Sequence, residues 1–86
     1  MPETSRFLGI VIRMYRDEHP PPHFHAVYGE FSAQISIRNP AIIQWKLPAR
    51  VLGYVTEWAV LHEQDLALSW EAAQSDRPVA KIPPLV

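Results

Sequence analysis

Three consecutive prolines, Pro20-Pro21-Pro22, divide this chain more firmly than any other feature. None has a backbone N–H for a helix or a sheet ladder, and each ring fixes φ. Regular structure must stop before them and restart after them. The segment from His19 to Pro22 is predicted to be an extended, polyproline-like connector, stiff enough to fix its ends. His23-Phe24-His25 follows, so this short stretch holds three of the four histidines. In a strand, residues two apart share a face. His23 and His25 are then expected to project together, with Phe24 opposite. Two imidazoles on one face can share a metal, bind an anion when protonated, or act as an acid and base pair. A plainer alternative is a rigid turn whose histidines bond to backbone or water.

Eighty-six residues make one domain. The hydrophobic fraction of 48% is that of a globular chain. A domain of this size buries only roughly 60% of the surface that its unfolded chain exposes. Its core is small, and a homodimer is one way to add to it. The absence of cysteine removes disulfides, thiolate metal sites and thiol nucleophiles, and fits a cytoplasmic protein. Met1-Pro2-Glu3-Thr4-Ser5-Arg6 lacks a basic region followed by a long apolar run, so no signal peptide is expected. No apolar run approaches the length of a membrane span. The net charge of -1 gives no global signal for nucleic acid, although Arg13, Arg16, Lys46 and Arg50 can form a local basic face.

Alternation places Phe7–Tyr15 on a first strand, with Leu8, Ile10, Ile12 and Met14 on one face and Phe7, Val11 and Tyr15 on the other. Apolar residues on both faces predict an interior strand. Arg16-Asp17-Glu18 is its polar exit. His23–Tyr28 reads as a second strand and Phe31–Ile37 as a third, joined by Gly29-Glu30 as a tight hairpin. Arg38-Asn39-Pro40 breaks the pattern, and Ala41–Trp45 suits a short fourth strand. Pro48 is expected at the first position of a helix. From Pro48 to Ser75 helix formers dominate. One helix of that length would span roughly 42 Å, against a domain roughly 30 Å across. A break is therefore predicted around His62–Asp65. Val51, Leu52, Val55, Trp58, Ala59 and His62 share one face before it, and Leu66, Trp70 and Ala73 share another after it. Trp58 and Trp70 are expected in the core or a dimer interface.

The predicted class is α+β: a three- or four-stranded antiparallel sheet followed by one long bent helix or two helices packed on one face. Residues 1–77 form the domain. Residues 78–86 form a proline-rich apolar tail, either mobile or laid in a groove of this chain or another. No Gly-rich phosphate loop, zinc-finger spacing or HExxH pattern is present. Ser5, Ser32 and Ser36 have no evident base partner, so a serine hydrolase is not supported. Candidate metal ligands are His19, His23, His25 and His62, for zinc or nickel. Candidate catalytic residues are His23, His25, His62 and Glu57; His62 meets the strand histidines only if the helix packs over their face. Candidate binding residues are His19, Arg13, Tyr15, Tyr28 and Arg50.

Ser5-Arg6-Phe7, Gly9-Ile10, Met14-Tyr15, His19–His25, Tyr28-Gly29-Glu30, Leu47-Pro48 with Arg50, Glu57-Trp58-Ala59 with Leu61-His62, Trp70, and Lys81-Ile82 with Pro84-Leu85 occur in this order. The chain thereby resembles a family of short bacterial and archaeal proteins known as domain of unknown function 4160. The resemblance covers nearly the whole chain, and the His-Pro-Pro-Pro-His-Phe-His core is its specific part. It implies no activity. It does imply a partner, because members are often encoded beside another small protein, in pairs that look like toxin–antitoxin modules. Two functions are therefore expected from different classes. One is a protein-interaction module that binds the product of a neighbouring gene. The other is a histidine-based or metal-dependent enzyme that cleaves RNA. Metal binding that only stabilises the fold is a third.

Overall fold

Leu8 and Gly9 set how the N-terminal part folds. In the computed structural model, which describes residues 3–16, 18–38 and 42–86, both have left-handed backbones, with φ of 51° and 78°. Two successive positive φ values make the two-residue turn whose twist matches a hairpin. The chain reverses there, so β1 (Glu3–Phe7) pairs antiparallel with β2 (Ile10–Arg13), Phe7 opposite Ile10. Alternation alone runs Phe7–Tyr15 together as one strand, because Leu8 continues the apolar period. Leu8 instead leaves the core face and is half exposed.

The sheet continues as an antiparallel meander through β3 (His23–Tyr28), β4 (Phe31–Ser36) and β5 (Ile42–Lys46). It has five strands in sequence order, so the N-terminal hairpin adds one to the expected number. β2 is interior, as its two-sided pattern requires. Gly29 has φ of 60°, the conformation that the first position of its tight turn demands. The break expected at Asn39-Pro40 lies outside the described residues, as do Ala41, Asp17 and the Met1-Pro2 end.

Ile10, Ile12, Met14, Phe24, Ala26, Ala33 and Ile35 line one face of the sheet and are buried. Two helices close over it, α1 (Ala49–Leu61) and α2 (Glu63–Gln74). Pro48 stands one position earlier than expected. Its ψ of 144° is extended and its carbonyl accepts the N–H of Leu52, so it flanks the helix rather than opening it. The helical run breaks at His62, with φ of -119° and ψ of 29°. The break keeps the longest dimension to 33 Å. Val51, Val55, Trp58 and Ala59 of α1, and Leu66, Trp70 and Ala73 of α2, are buried as their spacing predicts. Trp58 is fully buried, with its ring against Phe7 and Phe24 at centroid distances of 5.5 and 5.8 Å.

The C-terminal tail lies on its own domain. Ile82 is buried and its N–H donates to the carbonyl of Thr4 on the outer strand at 2.8 Å. The Trp58 indole N–H donates to the Pro83 carbonyl at 2.9 Å. The tail thus covers part of the β1 edge, an unpaired row that would otherwise invite pairing with another chain. Among the described residues no helix is long and apolar enough to cross a membrane.

Gly9 gives a direct test of the hairpin. A Cβ there would meet the Tyr28 ring at 3.4 Å, an ordinary contact, so the cost of substitution is conformational. Gly9→Ala is expected to lose about 1 kcal/mol, or about 4–8 °C in melting temperature. An unchanged melting temperature would contradict the left-handed turn.

Candidate metal centre

The proline stretch does not run extended as predicted. The chain bends at Pro20 and Pro21, and the Pro20–Pro21 peptide bond is cis. Pro22 then ties the start of β3 to the end of β4, its carbonyl accepting the N–H of Ile37 at 3.0 Å. The bend folds Glu18 back onto the strand that follows.

The result is a three-residue group. Glu18, His23 and His25 each offer one ligand atom within 4.8 Å of the others. The Nε2 of His25 lies 2.6 Å from Glu18 Oε1. The Nε2 of His23 lies 3.6 Å from Glu18 Oε2. His23 is buried, His25 and Glu18 partly so.

The state of His23 follows from its other nitrogen. Nδ1 lies 2.9 Å from the Pro21 carbonyl oxygen. A carbonyl can only accept, so Nδ1 carries a proton. In neutral His23 the Nε2 is then a bare lone pair. That atom is buried and has no hydrogen-bond partner among the described residues. It faces a carboxylate, so lone pair meets negative charge unless a proton or a cation stands between them. A histidine that donates from Nδ1 to a backbone carbonyl while presenting Nε2 is the arrangement that orients metal ligands.

The walls of the group are aromatic. Tyr15 meets His25 edge-on with centroids 4.4 Å apart, and Trp70 lies 5.3 Å from His23. The two histidine rings are 5.2 Å apart. Gln74 of α2 donates to the Tyr15 carbonyl, and Arg16 pairs with Asp76 just beyond α2. These contacts tie the end of α2 to the segment after β2. An open cleft of about 260 Å³ gives solvent access, lined by Glu18, His19, Pro20, Pro21, His23 and Gln34.

The expected site residues separate in space. His23 and His25 come together. His19 is exposed and lines the same cleft, outside the ligand group. Arg13 stands directly opposite His25 across β2 and β3. His62 is not part of the group. It lies against Trp58 at 5.5 Å, with Nδ1 3.5 Å from Asp65. Both helices pack on the Phe24 side of the sheet, where His62 stays with Trp58; of the two, α2 meets the histidines, through the Trp70 ring beside His23. Glu57 and Arg50 are exposed on α1. Tyr28 alternates with the histidines and packs on the core side. In the sequence Glu18 reads only as part of a polar exit from the first strand. The sequence signal for it is a carboxylate immediately before a histidine and a proline turn.

A family model described as a domain of unknown function (DUF4160) matches residues 9–71. The match runs from the Gly9 turn into α2 and contains Glu18, His23, His25 and Trp70. No curated protein and no solved structure matches the chain.

Proposed function

The chain belongs to the DUF4160 family, and we propose that this member binds one divalent transition-metal ion between Glu18, His23 and His25 and uses it for hydrolysis. The observation that carries the proposal is the buried Nε2 of His23, which has no hydrogen-bond partner among the described residues and faces the Glu18 carboxylate at 3.6 Å. Two imidazole nitrogens and one carboxylate oxygen suit zinc or nickel better than calcium or magnesium. Zinc with about 2.1 Å bonds to N and O places tetrahedral donors about 3.4 Å apart. The 3.6 Å between His23 Nε2 and Glu18 Oε2 is already close to that spacing, and the 2.6 Å between His25 Nε2 and Glu18 Oε1 would open to admit the ion. Three protein ligands leave a coordination position open, as in catalytic rather than structural zinc sites. The cleft beside His23 gives that position an approach from solvent.

The roles of the residues follow. His23 and His25 hold the ion through Nε2, and the Pro21 carbonyl keeps His23 in the correct tautomer. Glu18 supplies the negative charge. The ion supplies Lewis acidity. The reading takes the protein to be cytoplasmic, with RNA as the first substrate to try. The test is incubation of zinc-loaded protein with a single-stranded RNA oligonucleotide. Cleavage that a chelator stops, and that His25→Ala abolishes without unfolding the protein, is expected. Metal binding without metal-dependent hydrolysis would leave the ion a stabilising role only.

A second reading keeps the protein as the interaction half of a toxin–antitoxin-like pair. It is favoured by Val60, Leu61 and Leu68, which are 60, 67 and 65% exposed around the α1–α2 break. Co-expression with the small protein encoded by the neighbouring gene tests it. Co-purification that Leu61→Glu disrupts supports it, and a monomer indifferent to that protein contradicts it.

A further inference from the structure

Four side chains stand in a row on four adjacent strands. Glu3 pairs with Arg13, Arg13 with His25, and His25 with Gln34. Residues directly opposite in an antiparallel pair project to the same face, with Cβ atoms about 4.5–5.5 Å apart. The guanidinium of Arg13 therefore shares a face with the imidazole of His25 and lies one strand from it.

Arg13 is the unexplained member of this row. Its Nε is buried and has no hydrogen-bond partner, and the side chain makes no ion pair among the described residues. The obvious acid opposite it is committed elsewhere. Glu3 accepts from Arg6 at 2.6 and 3.2 Å, and this bond, against a smaller opposing effect of burial, holds its carboxyl below the usual range. Among the causes acting on the Glu3 carboxyl, the attraction of Arg13 ranks last. A buried Nε–H with no acceptor among the described residues, on a side chain that is itself only partly buried, marks a place for an incoming acceptor.

We propose that Arg13 is the anion-binding half of the metal site and clamps a phosphoryl oxyanion of the substrate. The inference deepens the metal-site reading and rests on it. Arg6 and Arg13 offset Glu3 and Glu18, so the cluster is near neutral without a metal and gains two positive charges with one. The loaded site then attracts an anion. A guanidinium fork accepts carboxylate or phosphate alike. Tetrahedral phosphate has oxygens pointing in several directions, so one group can reach the open coordination position and Arg13 together. A planar carboxylate has only two oxygens, close together, and spans the pair poorly. The substrate class is a phosphate ester.

The experiment uses cobalt as the metal, because its visible spectrum reports on ligands at the open position. Inorganic phosphate is titrated into the cobalt-loaded full chain, with acetate as the carboxylate control. Phosphate is expected to shift the spectrum and acetate to have a much weaker effect. Arg13→Gln is expected to weaken phosphate about tenfold or more, the usual scale for a charge-assisted hydrogen bond, while cobalt affinity stays unchanged. Arg13→Lys keeps the charge and the fold and should fall between the two. Equal phosphate affinity in all three proteins overturns the assignment, as does a shift as strong with acetate as with phosphate. Cobalt binding with no response to phosphate overturns it while leaving the metal site standing. Failure to bind cobalt removes the metal site, and the anion clamp with it.

Discussion

Zinc added to the purified protein at about 100 times its dissociation constant is expected to raise the melting temperature by about 10–20 °C. Binding to the folded state alone stabilises by about 2.7 kcal/mol at that ratio. A domain of this size gains about 4–8 °C for each kcal/mol. The increment should vanish in His23→Ala and shrink strongly in Glu18→Ala and His25→Ala. His23→Ala also empties a buried position beside Trp70, so its metal-free melting temperature should fall. The comparison that matters is therefore the zinc-dependent rise within each protein. A rise that persists in His23→Ala would place the metal elsewhere, with His19 and His62 the next histidines to replace.

Trp58→Ala is expected to cost about 4 kcal/mol. Truncation of a buried aromatic costs about 3–5 kcal/mol, and total stability at this length is about 4–13 kcal/mol. The variant should be largely unfolded or melt far lower. Trp58 has no exposed surface and touches both β1, through Phe7, and β3, through Phe24. It also fixes the tail through Pro83. Trp58→Phe separates these roles. It keeps most of the packing and loses the indole N–H, at about 1 kcal/mol for the bond, so the tail should become sensitive to protease before the domain does. Urea midpoints for both variants provide the check. A loss below about 1 kcal/mol in Trp58→Ala would contradict the central place of this ring.

Much of this fold is legible in the residues themselves. β3 and β4 announce themselves by alternation around Gly29, and the helix break near His62 follows from length alone. The apolar faces of α1 and α2 are those that 3.6-residue spacing selects. The N-terminal hairpin is not legible, for a specific reason. Its turn is Leu8-Gly9, and Leu8 both lacks turn chemistry and continues an apolar period. The course of the tail is equally hidden, since Ile82 and Pro83 find their partners in Thr4 and Trp58, remote in sequence.

The site divides in the same way. His23 and His25 are read directly from strand alternation. Glu18 is not, because its contact depends on the chain turning at Pro20 and Pro21, and three prolines suggest extension as readily as reversal. His62 is drawn toward the site only by the assumption that the first helix covers the histidine face. The sheet's apolar residues lie on the other face, and hydrophobic burial takes α1 there. Arg13 gains its meaning only from register, since nothing local shows that it stands opposite His25.

The central claim is that Glu18, His23 and His25 bind one metal ion. Equilibrium dialysis against zinc, followed by elemental analysis of the protein, measures this most directly. Wild-type protein should retain one zinc per chain, and the Glu18→Ala/His23→Ala/His25→Ala variant none. Wild-type protein that holds no more zinc than the triple variant would contradict the claim.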